Sequence, residues 1–177
     1  MTITIFGNAR CLENSEEYKT AEQLGKELAK KNFSICNGGY GGIMEASAKG
    51  AKEVSGKTVG VVSSIFSRSP NPFLDEVIVE PNLIERMFGL IERGDAYVVL
   101  PGGTGTLLEL ATVWEFEHKQ LMLEKPIFVL GNFWKPVITM FDGDDGFFND
   151  KKISAYIHCV STIEECVERI DNSLYKV

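Results

Sequence analysis

Apolar and polar positions alternate along the chain between two rhythms. Short runs rich in β-branched and aromatic residues read as buried strands, and longer stretches with apolar residues three and four apart read as amphipathic helices. Thr2 to Phe6 opens the chain as a strand and Gly7 to Arg10 follows as a polar loop. Asn14 or Ser15 can cap a helix reaching about Lys31, with Tyr18, Ala21, Leu24, Leu28 and Ala29 on one face. Phe33 to Cys36 is a second strand, interrupted by the glycine loop Asn37 to Gly42 and followed by a helix from Ile43 to about Val54. Strands at Thr58 to Ser63 and Glu76 to Val79 enclose an irregular stretch, Ser64 to Leu74, that contains Pro70 and Pro72. Asn82 and Glu85 resemble a capping pair for a helix reaching Arg93. Ala96 to Leu100 is a strand, Pro101 to Thr106 a glycine loop, and Leu107 to Leu121 a helix. Pro126 to Leu130, Trp134 to Phe141 and Tyr156 to Val160 continue as strand, short helix and strand, and Ser161 to Glu164 reads as a capping box for a terminal helix. Asp142 to Asp150 reads as an acidic loop.

Strands alternating with helices throughout imply a doubly wound α/β fold, a mainly parallel Rossmann-like sheet covered on both faces. In such sheets ligands bind beyond the carboxyl ends of the strands. The loops Gly7 to Arg10, Asn37 to Gly42 and Pro101 to Thr106 all follow strands and so share that edge. The third is a phosphate cradle in composition. It opens a helix whose first N–H groups lack intrahelical partners and whose dipole favours an anion, and Thr104 and Thr106 add hydroxyl donors. Glu109, in the early turns of the same helix, would repel a phosphate beside it and so points to chemistry beyond phosphate holding.

Composition narrows the field. A chain of 177 residues with 44% hydrophobic content fits one domain, spanning 1–177, with a core that needs no metal or disulfide. A formal charge of −7 argues against general binding to nucleic acid or anionic membrane. Cys11, Cys36, Cys159 and Cys166 form no C-x-x-C pair and read as buried reduced thiols of a cytoplasmic protein. No apolar run approaches the ~20 residues of a membrane span.

Other motifs fall short of their patterns. Neither Gly39-x-Gly41 nor Gly103-x-Gly105 is followed by the third glycine of the dinucleotide fingerprint. Ala51 stands where a P-loop ending at Gly56-Lys57-Thr58 needs glycine, and Ile153 replaces the closing glutamate of a calcium loop begun at Asp142. The histidines His118 and His158 form no metal cluster with other ligands and no catalytic triad. Arg86, on the helix feeding the strand before the third loop, reads from spacing alone equally as a surface residue or a site residue.

Pro101-Gly-Gly-Thr-Gly-Thr-Leu-Leu-Glu109 fits the signature P-G-G-x-G-T-x-x-E, with Arg86 fifteen residues ahead of it. Through these residues the chain resembles the Lonely Guy (LOG) family of cytokinin-activating phosphoribohydrolases, often mislabelled lysine decarboxylases. Asn37 to Met44 is similar to that family's second glycine loop, G-G-G-x-x-G-L-M. The resemblance implies hydrolysis of the N-glycosidic bond of a nucleoside 5′-monophosphate carrying adenine or an N6-substituted adenine. It implies Glu109 and Arg86 as the catalytic pair, no cofactor, and a homodimer or larger assembly. Gly7, Asn8, Gly38, Gly39, Gly41, Gly42, Glu45, Met87, Gly102, Gly103, Thr104, Gly105 and Thr106 are the expected binding residues. Three positions depart from the pattern: Met87 replaces a lysine, Glu45 the glycine ending the second loop, and Asn37 that loop's first glycine. These features look more like a neighbouring branch that resembles molybdenum-cofactor carriers, which bind a phosphorylated pterin without turnover. Hydrolase, ligand carrier and nucleotide-sensing module therefore stand as alternatives.

Overall fold

A computed structural model describes residues 1–141 and 153–175. Seven parallel strands form one sheet in the order β4-β3-β2-β1-β5-β6-β7, the Rossmann-like architecture expected. The strands are β1 (Thr2–Phe6), β2 (Ser34–Asn37), β3 (Thr58–Ser63), β4 (Glu76–Glu80), β5 (Ala96–Val99), β6 (Ile127–Leu130) and β7 (Ile157–Val160). The helices are α1 (Glu16–Lys30), α2 (Ile43–Lys52), α3 (Leu83–Arg93), α4 (Thr104–His118), α5 (Lys135–Met140) and α6 (Ile163–Tyr175). From β1 the chain builds outward to β4, then returns to β5 on the other side of β1 and builds to β7. The change of direction lies between β1 and β5, where a doubly wound sheet opens a crevice at its carboxyl edge.

Period-two alternation sorts side chains into two cores. Ile3 and Ile5 of β1 and Ala96 and Val98 of β5 face a layer with Leu24, Leu28, Ala46 and Ile170 from α1, α2 and α6. Phe6, Tyr97 and Val99 face the opposite layer with Leu90, Leu110, Val113 and Ile138 from α3, α4 and α5. Each helix buries one stripe against a sheet buried on both faces, which is why the strands carry apolar residues at nearly every position.

Helix ends follow local chemistry. Ser15 caps α1 by accepting the Tyr18 N–H, and the Asn82 side chain accepts the N–H groups of Ile84 and Glu85 to start α3. The final cap sits one residue later than the Ser161–Glu164 reading. The Thr162 hydroxyl accepts from the Glu165 N–H at 3.2 Å while the Glu165 carboxylate accepts from the Ser161 N–H at 2.8 Å. Both residue pairs have capping-box spacing, and the strand's end at Val160 selects the second. α4 begins at Thr104, inside the glycine loop, three residues before the expected start. Among the described residues all four cysteines are free, with Cys36 and Cys166 buried, Cys11 half-buried and Cys159 exposed. The burial expected of Cys159 fails because β7 is an edge strand that, among the described residues, pairs with β6 alone. The acidic loop of Asp142 to Asp150 lies outside the described residues.

Candidate active site

The loops after β1, β2 and β5 meet at the sheet's change of direction and are stitched together by backbone. The Asn8 N–H donates to the Pro101 carbonyl at 3.0 Å, and the Asn8 carbonyl accepts from the Ile43 N–H at 2.9 Å. One residue thus joins the first loop to the third loop and to the start of α2. Its side chain folds the loop further, with Oδ1 accepting from the Arg10 N–H at 2.9 Å and Nδ2 donating to Glu17 at 3.1 Å. Around this hub lies a cleft of about 400 Å³, bordered by Gly7, Asn8, Arg10, Gly38, Met44 and the residues described next.

One wall is the start of α4. Gly103 occupies its N-cap position and supplies no side-chain cap. The first N–H groups of the helix therefore lie at the cleft without a side-chain cap among the described residues, with the positive end of the helix dipole behind them. A Cβ built at Gly103 or Gly105 meets nothing within 4 Å, so the absent side chains leave open space rather than relieve a clash. Thr104 is exposed on this rim, and Thr106 is buried beneath it. Its hydroxyl would lie 2.2 Å from a Cβ at Gly102, so that glycine accommodates the threonine.

Opposite stands Arg86, which is 8% exposed and not the surface residue that spacing alone allows. Its Nε donates to the Val61 carbonyl at 2.8 Å and its Nη2 to the Gly38 carbonyl at 3.0 Å. Two nitrogens are thereby committed to the ends of β3 and β2, and Nη1 is turned to the Glu109 carboxylate at 3.9 Å. The sequence places Gly38 accordingly, since a Cβ there would lie 1.8 Å from Nη2. Tyr40 covers the guanidinium, with its ring centroid 5.6 Å away.

Glu109 comes off α4 a little over one turn from its start, and its side chain is 16% exposed. Burial pushes its carboxyl up from 4.5 to about 7, and Arg86 opposes this only in part. Loss of hydration outweighs one guanidinium at 3.9 Å whose other nitrogens are engaged elsewhere. A carboxyl that titrates near neutrality in a polar cleft is suited to work on charge or protons there. Among the described residues no group of His, Cys, Asp and Glu could hold a metal ion.

The structure brings together Gly7, Asn8, Gly38, Arg86, Gly103, Thr104, Gly105, Thr106 and Glu109 on the cleft. Gly39, Gly41, Gly42, Glu45, Met87 and Gly102 fall outside its lining. Gly42 instead starts α2 at φ +67°, where a Cβ would lie 2.3 Å from the Asn8 carbonyl oxygen. Gly39 turns the loop at φ +77°, and Gly41 lies beside Glu45. Glu45 is close enough to Tyr18 and Cys11 to raise both their pKa values, which puts it on the α1 side of α2. Met87 is packed in the core with its sulfur 3.4 Å from the Thr112 hydroxyl, since the next residue on a helix turns away from the face Arg86 uses. Arg10 and Met44 border the cleft without having been singled out. Arg10 carried a usable signal, a cation in a loop already assigned to the binding edge.

A switch-point crevice, an uncapped helix start and a facing carboxylate–guanidinium pair define a Rossmann-like protein with a polar cleft at the carboxyl edge of its sheet. The model of the SLOG cluster4 family matches residues 1–157, and the chain belongs to that family. It is 29% identical over 152 residues to a cytokinin riboside 5′-monophosphate phosphoribohydrolase of Mycobacterium tuberculosis, covering 81% of this chain and 75% of the relative. It is 31% identical over 106 residues to a pyrimidine/purine nucleotide 5′-monophosphate nucleosidase of Escherichia coli, covering 55% of this chain but 23% of that much longer protein. Among solved structures, the molybdenum cofactor carrier protein of Chlamydomonas reinhardtii superposes with a TM-score of 0.73 over 99% of this chain and 98% of its own, at 22% identity. At that identity the likeness shows the shared fold.

Proposed function

We propose that the protein hydrolyses the N-glycosidic bond of a nucleoside 5′-monophosphate, giving a free base and ribose 5-phosphate. The observation that carries this reading is the Glu109 carboxylate facing Arg86 Nη1 at 3.9 Å, beside the uncapped start of α4. The phosphate takes the N–H groups at Gly103 to Thr106, and the ribose then lies towards Glu109, further along the helix. As the bond from C1′ to the base nitrogen breaks, positive charge grows on the ribose ring. A fixed carboxylate beside that charge stabilises it and orients the water that adds hydroxide to C1′ and a proton to the departing base. Arg86, its other nitrogens held by two carbonyls, supports the departing base electrostatically. A pure carrier would need the phosphate cradle but not this pair.

The test is release of adenine from AMP and from an N6-substituted AMP by purified protein, with Glu109→Gln as the control. No free base from any nucleotide in a panel, together with tight binding of molybdopterin, would establish the carrier reading. Binding of a nucleotide with a partner protein and no turnover would establish the sensing module.

We further propose that the chain self-associates through α4 and its surroundings. α4 exposes apolar residues beyond its buried stripe, with Leu107 38% and Leu108 43% exposed, and an apolar groove beside it is lined by Trp114, Val137 and Met140. Light scattering should give at least twice the chain mass of 19.6 kDa, and Leu108→Asp should lower it. A monomer at working concentration refutes this.

A further inference from the structure

The glycine-loop pattern leaves the position of Tyr40 open, yet the structure fixes this residue from every direction. It is 6% exposed. Its hydroxyl donates to the Ser63 carbonyl at 3.1 Å and accepts from the Ser63 N–H at 2.9 Å, which pins the ring against the end of β3. Phe66 meets the ring edge-on at 5.9 Å, and Met44 and Val62 pack with it in a small cluster of their own. The backbone is held as firmly. The Asn71 side chain donates to the Tyr40 carbonyl at 3.0 Å, and the Asn71 N–H donates to the Gly39 carbonyl at 2.8 Å. The irregular stretch between β3 and β4 therefore braces the second glycine loop, and Tyr40 is where the bracing converges.

What the ring supports is Arg86, whose guanidinium carbon lies 5.6 Å from its centroid. The carbonyls of Val61 and Gly38 restrain two guanidinium nitrogens. The aromatic face adds a broad surface that attracts the cation. We propose that Tyr40 is a positioning residue of this site, whose ring holds the Arg86 guanidinium so that Nη1 faces Glu109. The placement of Tyr40 is independent of what the cleft turns over, and only the kinetic part of its test rests on the hydrolase reading.

The first test needs no substrate. The Glu109 carboxyl carbon is followed by ¹³C NMR through a pH titration of the wild type, Tyr40→Phe and Tyr40→Leu, its resonance assigned by its loss in Glu109→Gln. Arg86 from α3 faces this carboxylate, and Arg10 shares the cleft from the loop after β1. A nearby guanidinium favours the charged carboxylate, so an Arg86 released from its place lets Glu109 titrate higher. Tyr40→Leu should move the midpoint up by about half a pH unit or more, whereas Tyr40→Phe, which keeps the ring, should match the wild type. Tyr40→Met keeps bulk without an aromatic face and replaces Tyr40→Leu if that variant does not fold. Identical midpoints in the wild type and the ringless variant overturn the proposal.

The second test is kinetic. The ringless variant should lose about tenfold in kcat, the equivalent of one weakened charge contact, with KM within about threefold, and Tyr40→Phe should recover it. A matching loss in Tyr40→Phe would overturn the role of the ring. If the wild type releases no base, the hydrolase reading fails while the titration still decides the place of Tyr40.

Discussion

Glu109→Gln keeps the shape of the side chain and removes its charge, and it is expected to separate chemistry from binding. A full carboxylate about 4 Å from the forming ribose cation contributes about 4 kcal/mol at the effective dielectric suited to protein sites. At 1.36 kcal/mol per tenfold, its loss lowers kcat about 10³-fold. KM should stay within a few-fold, because the proposed phosphate site at the start of α4 is untouched by the substitution. The assay is the initial rate of adenine release from AMP, separated by chromatography and followed between pH 5 and pH 9. The ionised form does the work, so wild-type kcat should rise through pH 7, where burial has moved the Glu109 carboxyl. The residual rate of the Gln variant should lack that limb. A variant retaining more than about a tenth of wild-type kcat, or a wild-type rate that falls as Glu109 ionises, would refute this account.

The same substitution should change stability with the opposite sign. A carboxyl raised from 4.5 to about 7 binds its proton more tightly in the folded than in the unfolded chain. Below pH 4.5 both states are protonated and there is no penalty. Between pH 4.5 and 7 the unfolded chain ionises first, so stability falls as pH rises, and above 7 the loss is complete at about 3 kcal/mol. In ligand-free protein, Glu109→Gln should therefore raise the denaturation midpoint at pH 8 and leave it nearly unchanged at pH 4.5. Equal effects at the two pH values would show that Glu109 carries no burial penalty. A group that is costly when ionised and yet remains buried in the cleft is better explained by reactivity than by folding.

Three other substitutions probe separate parts of the cleft. Gly38→Ala places a methyl group where Arg86 Nη2 lies, and should displace the side chain, cost about 2 kcal/mol in chemical denaturation from the disturbed hydrogen bonds and reduce kcat by about 10²; unchanged kcat would show that Arg86 acts elsewhere. Gly105→Ala meets no protein atom within 4 Å and lies inside α4. It should stabilise the fold by about 0.5–1 kcal/mol while raising KM for AMP about tenfold, and an unaffected KM would exclude the open rim as the phosphate site. Arg10→Ala removes a guanidinium on the cleft border, and should raise KM for AMP about tenfold while changing adenosine binding by less than about twofold; equal losses for both ligands would show that Arg10 does not meet the phosphate.

The two periodicities made nearly every element of the sheet legible, because buried parallel strands and amphipathic helices write their burial directly into the apolar pattern. The glycine loops were legible as a shared edge for the same topological reason. What the pattern could not reveal was the direction in which a polar side chain turns. Arg86 and Met87 are neighbours on one helix; spacing alone left Arg86 equally a surface or a site residue, and only the family resemblance offered Met87 to the site. α3 puts Met87 into the core, while Arg86 reaches the carbonyls of Val61 and Gly38, 25 and 48 residues away in sequence. Glu45 looked like a site residue because it ends the second glycine loop, but one turn of α2 carries it to the α1 side. Tyr40 was silent for a related reason, since its importance lies in Ser63, Asn71 and Arg86, which come from three other segments. The glycines divide along the same line. Gly38 and Gly42 are explained by protein atoms that would collide with a Cβ, whereas Gly103 and Gly105 face empty space. Among the described residues no tertiary contact accounts for the absence of side chains at the second pair, and that is the gap the proposed phosphate site would fill.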